Sequence, residues 1–139
     1  MSVLAEIGAR AAAESPLWSA TVLSGEPPEP EYAGRCPDRY LLGVEMIREA
    51  YLLHHGRARV FSQDDGELAL LTGDYLYAAG LVEICATGDI AAVADLADLI
   101  SRCARNRGHE TGDDEVVWAD CVARLGREGV TASNGRRLV

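Results

Sequence analysis

Three histidines, His54, His55 and His109, are the residues best suited by type to acid–base or metal chemistry. An imidazole titrates near neutrality and binds metals readily. A helical metal pair needs a spacing such as HExxH, however, and none occurs. His54 falls on the inner edge of its helical pattern, where a hydrogen-bonded core histidine is expected. The cysteines Cys36, Cys85, Cys103 and Cys121 are widely spaced with no CxxC pair, so no zinc site is expected. Cys85, Cys103 and Cys121 fall on apolar helical faces, as reduced thiols acting as small hydrophobes do. Carboxylates cluster at Asp64-Asp65-Gly66-Glu67 and at Asp113-Asp114-Glu115. Each cluster opens an apolar helical run, and capping or an acidic first turn explains it. Asp74 stands inside an apolar helix, either as a structural carboxylate paired with an Arg or a backbone N–H, or as a catalytic group. No GxSxG, glycine-rich phosphate loop or Cys–His pairing offers a nucleophile. The residues by themselves therefore assign no catalytic and no metal-binding position.

The elements that would position these groups are helical. Residues 3–13 carry Leu4, Ile7 and Ala11 on one face, and Ser15-Pro16 reads as an N-cap with Pro at the first helical position. Residues 24–31, rich in Pro and Glu, cannot continue a helix and read as extended and solvated. Over residues 40–55, Tyr40, Val44, Ile47 and Tyr51 recur at helical spacing, flanked by Leu42, Met46, Ala50 and Leu53, with Glu45, Arg48 and Glu49 as the wet face. Val60 and Phe61 lie in a short connection and are expected to reach the core.

Asp64 reads as the next N-cap, with Glu67 three residues on. The helix 65–86 is apolar almost all round, as a helix buried on more than one side is. Gly88 suits a C′ position and Asp89 an N-cap. The helix 90–105 reads with Ile90, Val93, Ala94, Ala97, Ile100 and Cys103 inward and Asp95 and Asp98 outward. Arg102, Arg105 and Arg107 gather at its end, where the helix dipole favours positive charge. A polar break, 106–113, leads to a last helix over 114–125 with Trp118, Cys121, Val122 and Leu125 on one face. No stretch alternates with period two, so the expected fold class is all-α. The expected organisation is an N-terminal helical segment (1–23), an acidic Pro-rich linker (24–37), a helical bundle (38–128) and a flexible tail (129–139).

The chain has 139 residues, a net charge of −9 and thirteen basic residues, every one of them Arg. Such a surface repels nucleic acid and anionic lipid, so neither is an expected partner. The start lacks a secretory pattern and no run of about 18 apolar residues is free of charge, which gives a cytoplasmic expectation with no membrane span. A chain of this length buries only about two-thirds of its unfolded surface, so leftover apolar surface calls for a partner.

Two stretches resemble trans-polyprenyl diphosphate synthases. Val44-Glu45-Met46-Ile47-Arg48-Glu49-Ala50-Tyr51-Leu52-Leu53-His54-His55 is similar to the family helix that runs into the first aspartate-rich motif. Leu70-Leu71-Thr72-Gly73-Asp74-Tyr75-Leu76-Tyr77-Ala78-Ala79 is similar to the family's Gly-Asp-Tyr-Leu helix. With the continuation to Arg105, the likeness covers about residues 40–105. It implies a truncated isoprenoid-synthase-like helical bundle.

Active members hold Mg²⁺ and an allylic diphosphate through two DDxxD motifs, whose carboxylates bind hard cations that neutralise the leaving diphosphate. Here the first motif's positions read His55-Gly56-Arg57-Ala58-Arg59, with two cations and no carboxylate. A second motif would lie beyond this sequence, and Gly34-Arg35-Cys36-Pro37 is only a distant echo of the isopentenyl diphosphate site.

By resemblance, then, the chain is a non-catalytic subunit of a heteromeric medium-chain polyprenyl diphosphate synthase. It has no cofactor of its own, and Mg²⁺ is held by the catalytic partner. Ala50, Tyr51 and His54 are the chain-length or tunnel positions, with packing in the core as the other reading of Tyr51. Leu71, Tyr75, Leu76, Val82, Val93 and Ile100 are the interface positions toward a catalytic synthase subunit or a second copy. The alternative is a stand-alone helical module that binds an isoprenoid or another apolar ligand.

Overall fold

A computed structural model describes residues 1–110 and 112–138, with side chains described as far as Arg127. Six helices follow one another: α1 (Val3–Glu14), α2 (Pro16–Ser19), α3 (Asp38–His55), α4 (Gly66–Cys85), α5 (Ile90–His109) and α6 (Asp114–Leu138). The fold is all-α. Its one β feature among the described residues is an isolated bridge, Val22 to Phe61, which pins the connection after α3 against the chain after α2.

Local chemistry sets the helix ends. Ser2 accepts from the Ala5 N–H, Ser15 from Leu17 and Asp89 from Ala92, each satisfying a first-turn donor. Asp65, rather than the expected Asp64, caps α4 by accepting from Leu68. Gly88 sits at φ +81°, a left-handed conformation that glycine adopts without Cβ strain. α5 continues to His109, so the break before α6 is shorter than the polar composition of 106–113 suggested. The stretch 129–139, expected as a flexible tail, has helical backbone to Leu138, and its side chains lie outside the described residues.

α3 is the central element. One core joins its Tyr40, Val44, Ile47 and Tyr51 to Leu96, Leu99 and Cys103 of α5 and to Trp118, Cys121, Val122 and Leu125 of α6. A second joins its Met46, Ala50 and Leu53 to Leu4, Ile7 and Ala11 of α1, to Val60 and Phe61, and to Leu76 of α4. With apolar side chains gathered on two sides, the expected wet face has nowhere to go. Glu45, Arg48 and Glu49 are buried rather than solvated. The 24–37 segment is likewise only partly solvated, because Tyr32 and Cys36 turn into the first core.

α3 and α4 pack antiparallel at very short range. Gly43 lies against Gly80, and a Cβ added to Gly80 would stand 2.7 Å from Ile47 Cγ1 and 2.9 Å from the Gly43 carbonyl oxygen. Seven residues away on each helix, Gly73 lies against Ala50 and His54. Small residues at this spacing let the two backbones approach until no side chain fits between them.

α5 is turned relative to its expected orientation. Ala92, Leu96, Leu99 and Cys103 face inward, while Ile90 is 82% exposed and Ala94 and Ala97 face out. Alanines occur on both faces of this helix, so its apolar pattern is ambiguous, and the two large leucines decide which face is buried.

Candidate functional site

The end of α3 is where the first aspartate-rich motif would fall. His55 is the last helical residue, and Gly56 closes the helix through its N–H to the Leu52 carbonyl. The chain then turns back along α3 and carries Arg59 inward. Its guanidinium meets Glu45 at 2.8 Å and Glu49 at 3.1 Å, and both carboxylates are fully buried. Glu49 also accepts from the backbone N–H groups of Arg59, Val60 and Phe61. Glu45 accepts from the Tyr32 N–H at 2.8 Å. Two buried anions are thus matched by one largely buried cation and by a row of amide donors.

One turn along, Arg48 pairs with Glu31 at 2.8 Å and with Glu115 at 2.9 Å. Its guanidinium lies over the rings of Trp118, Tyr51 and Tyr32, at 5.0, 5.3 and 5.9 Å from their centroids. Burial works against the charge, but hydrogen bonds to Glu31 and Glu115 outweigh it, so the guanidinium stays protonated. Its Nη1 has no hydrogen-bond partner among the described residues, and the aromatic faces supply its surroundings. This network joins α3, α6 and the 31–36 turn.

The expected tunnel residues separate. Ala50 is fully buried and closed off by the α4 backbone at Gly73. Tyr51 packs its ring edge-on to Trp118 and donates its hydroxyl hydrogen to Asp114 at 2.7 Å. Arg107 donates in turn to the same hydroxyl at 2.9 Å. Burial raises the Asp114 carboxyl, but hydrogen bonds from Tyr51 and Asn106 and the charge of Arg107 prevail and hold it below the usual range. Burial and the bond to Asp114 push the Tyr51 phenol upward, so it stays protonated. These groups border an open cleft of about 700 Å³ whose walls, from Asn106 to Glu115, are mostly polar.

His54 leaves the core edge for the α3–α4 groove, where Nε2 lies 3.2 Å from the Leu70 carbonyl and 3.3 Å from Asp74. Both partners accept, so that nitrogen carries hydrogen. Asp74 is accordingly neither buried nor paired with an Arg; it is exposed and faces His54. Cys85, expected inside, is exposed, whereas burial pushes the thiols of Cys36 and Cys103 up to about 11. Among the described residues no group of three or more His, Cys, Asp and Glu is placed to hold a metal ion.

The interface candidates divide as well. Leu71 and Val82 are exposed, at 54% and 68%, with Leu70 at 50% beside them. Leu76 is fully buried between α3 and α4 and cannot reach an outer surface. Tyr75 turns aside to stack on Trp18 at 5.5 Å. Val93 and Ile100 pack half-buried against the α5–α6 core. Of the elements that carry these candidates, α4 therefore leaves an apolar outer face open. By length and composition α4 also meets the requirement for a helix that crosses a membrane, with only a third of its apolar window buried.

No protein-family model, curated protein or solved structure matches the chain. The functional reading rests on the residues and their geometry.

The buried ion cluster and the glycine contacts were the main features missed in the sequence. The first left no signal, because Glu-x-x-Arg-Glu on a helix ordinarily faces water. The second left one: Gly43 and Ala50, then Gly73 and Gly80, repeat at seven residues on facing helices.

Proposed function

We propose that this chain is a non-catalytic subunit of a heteromeric polyprenyl diphosphate synthase, one that supports a catalytic chain and helps set isoprenoid length. The observation that carries the reading is Arg59. At the end of the α3 stretch that resembles the family's diphosphate-binding helix, the chain offers a guanidinium where carboxylates would be needed. That guanidinium is spent on Glu45 and Glu49. Such a site lacks the carboxylate set with which the resembling enzymes hold the Mg²⁺ that neutralises a leaving diphosphate. What it keeps is the α3–α4 helix pair, locked through Gly43 and Gly80, with the outer face of α4 open for a partner.

The stand-alone ligand-binding alternative draws less support. The large cleft is walled by Asn106, Arg107, Glu110 and Asp113, which suit an isoprenoid chain poorly. The test is co-expression with the prenyl synthase chain of the same genome that keeps both aspartate-rich motifs, followed by co-purification and product analysis. A stable complex whose product length differs from that of the catalytic chain alone supports the reading. A catalytic chain that ignores this protein and makes the same products with or without it overturns it.

A further inference from the structure

The exposed face of α4 is apolar without being neutral. Leu70, Leu71 and Val82 stand on it at 50%, 54% and 68% exposure, with Asp74 between them. Residues 60–101, which span α4 and the first half of α5, contain eight Asp and Glu and no Lys, Arg or His, in a chain whose net charge is −9. On α4 itself the charged side chains are Glu67, Asp74 and Glu83, all of them acidic. Several of the acids have basic partners among the described residues. Arg10 pairs with Glu83, Arg102 with Asp98 and Arg124 with Asp95, while Asp74 lies 3.3 Å from His54 Nε2. Glu67, one turn before Leu71, is exposed at the other end of the stripe.

We propose that this face docks a partner chain that presents an apolar helical surface flanked by Lys and Arg, and that a second copy of this chain does not fill it. The inference rests on the functional reading above and specifies the partner's chemistry. Removal of Leu70, Leu71 and Val82 from water supplies the attraction, which is indifferent to the partner's identity. Charge supplies the choice. Two copies joined through α4 would bring together the acids of two helices that carry no basic residue, with Asp74 near Asp74 in a two-fold pair centred there. Like charges across an interface select against that pairing, and a basic rim on the partner turns the same field into attraction and faster encounter. An anionic membrane is rejected on the same ground.

Binding of the wild-type chain to the catalytic synthase chain is measured by titration at low and high salt. Beside it stand Val82→Glu, whose exposed position spares the fold, and the Glu67→Gln/Asp74→Asn double variant. Two helical peptides with one leucine stripe, flanked by Lys in one and by Glu in the other, serve as independent probes. Expected are binding that weakens with salt, roughly tenfold or greater loss in Val82→Glu, a flatter salt dependence in the double variant, and preference for the Lys-flanked peptide.

Synthase binding untouched by Val82→Glu overturns the inference and leaves the functional reading in place. No synthase binding, with Val82-dependent capture of the Lys-flanked peptide, does the reverse. Equal binding of both peptides, a wild-type homodimer that Val82→Glu dissolves, or adsorption to phosphatidylcholine vesicles each overturns the proposed occupant.

Discussion

Arg59 places its guanidinium 2.8 Å from the fully buried carboxylate of Glu45, across fourteen residues of chain that leave α3 and return to it. The same group reaches Glu49, so one cation holds two interior anions. Arg59→Ala would leave both carboxylates buried and opposed to each other. A loss of about 3–5 kcal/mol is expected, as for any buried pair deprived of one member. Chemical denaturation of the variant measures it. The triple change with Glu45→Gln and Glu49→Gln should recover part of the loss, whereas a loss under 1 kcal/mol for Arg59→Ala (about the worth of an exposed ion pair) would mean that water reaches the cluster.

Gly80→Ala adds one methyl group at a point where the nearest atoms, Ile47 Cγ1 and the Gly43 carbonyl oxygen, would lie 2.7 and 2.9 Å away. Backbone cannot swing aside as a side-chain tip can, so α3 and α4 must part. The expected cost is about 1–3 kcal/mol, against the gain in helix propensity that alanine gives at an open helical site. A thermal melt compares Gly80→Ala with Gly66→Ala, where an added Cβ meets nothing within 4 Å and little change is expected.

Acid sensitivity should follow Asp114. Its folded carboxyl titrates below its ordinary value, because hydrogen bonds from Tyr51 and Asn106 and the charge of Arg107 outweigh burial. A depressed acid contributes stability above its unfolded pKa and loses that contribution as pH falls through the folded one. Melting temperature should therefore decline below about pH 4. Asp114→Asn should lower it at neutral pH and flatten that acid decline.

Tyr51 tests the length-setting role residue by residue. With its ring against Trp118 and its hydroxyl held by Asp114 and Arg107, it is anchored as a packing element. Tyr51→Ala is expected to cost about 3–5 kcal/mol, as truncations of buried aromatic rings do, and to leave product length unchanged in the reconstituted complex. Longer products from a properly assembled Tyr51→Ala complex would instead make Tyr51 the floor of the elongation path.

The helices were legible in the sequence because their apolar spacing and caps are local signals: Ser15-Pro16, Gly88-Asp89 and the Trp118–Leu125 face all stand where they were read. What failed was orientation. The Glu45, Arg48 and Glu49 face reads as solvent-facing from its charge, and only the return of Arg59 and of the 31–36 turn buries it. α5 was misturned because its alanines make both faces apolar. Leu76 and Val82 look alike on a helix that is apolar all round, yet one is sealed against α3 and the other is open. Which face of α4 is free depends on the Gly43–Gly80 contact, a tertiary relation that periodicity does not carry.

The most direct measurement of the central claim is prenyl transfer by the purified chain, alone and then mixed with the catalytic synthase chain, in Mg²⁺ with an allylic diphosphate and isopentenyl diphosphate. The expected result is no product from this chain alone and, in the mixture, a complex whose products differ in length from those of the catalytic chain by itself. Turnover by this chain alone that survives repurification, or a mixture in which the two chains neither associate nor alter the product, would contradict it.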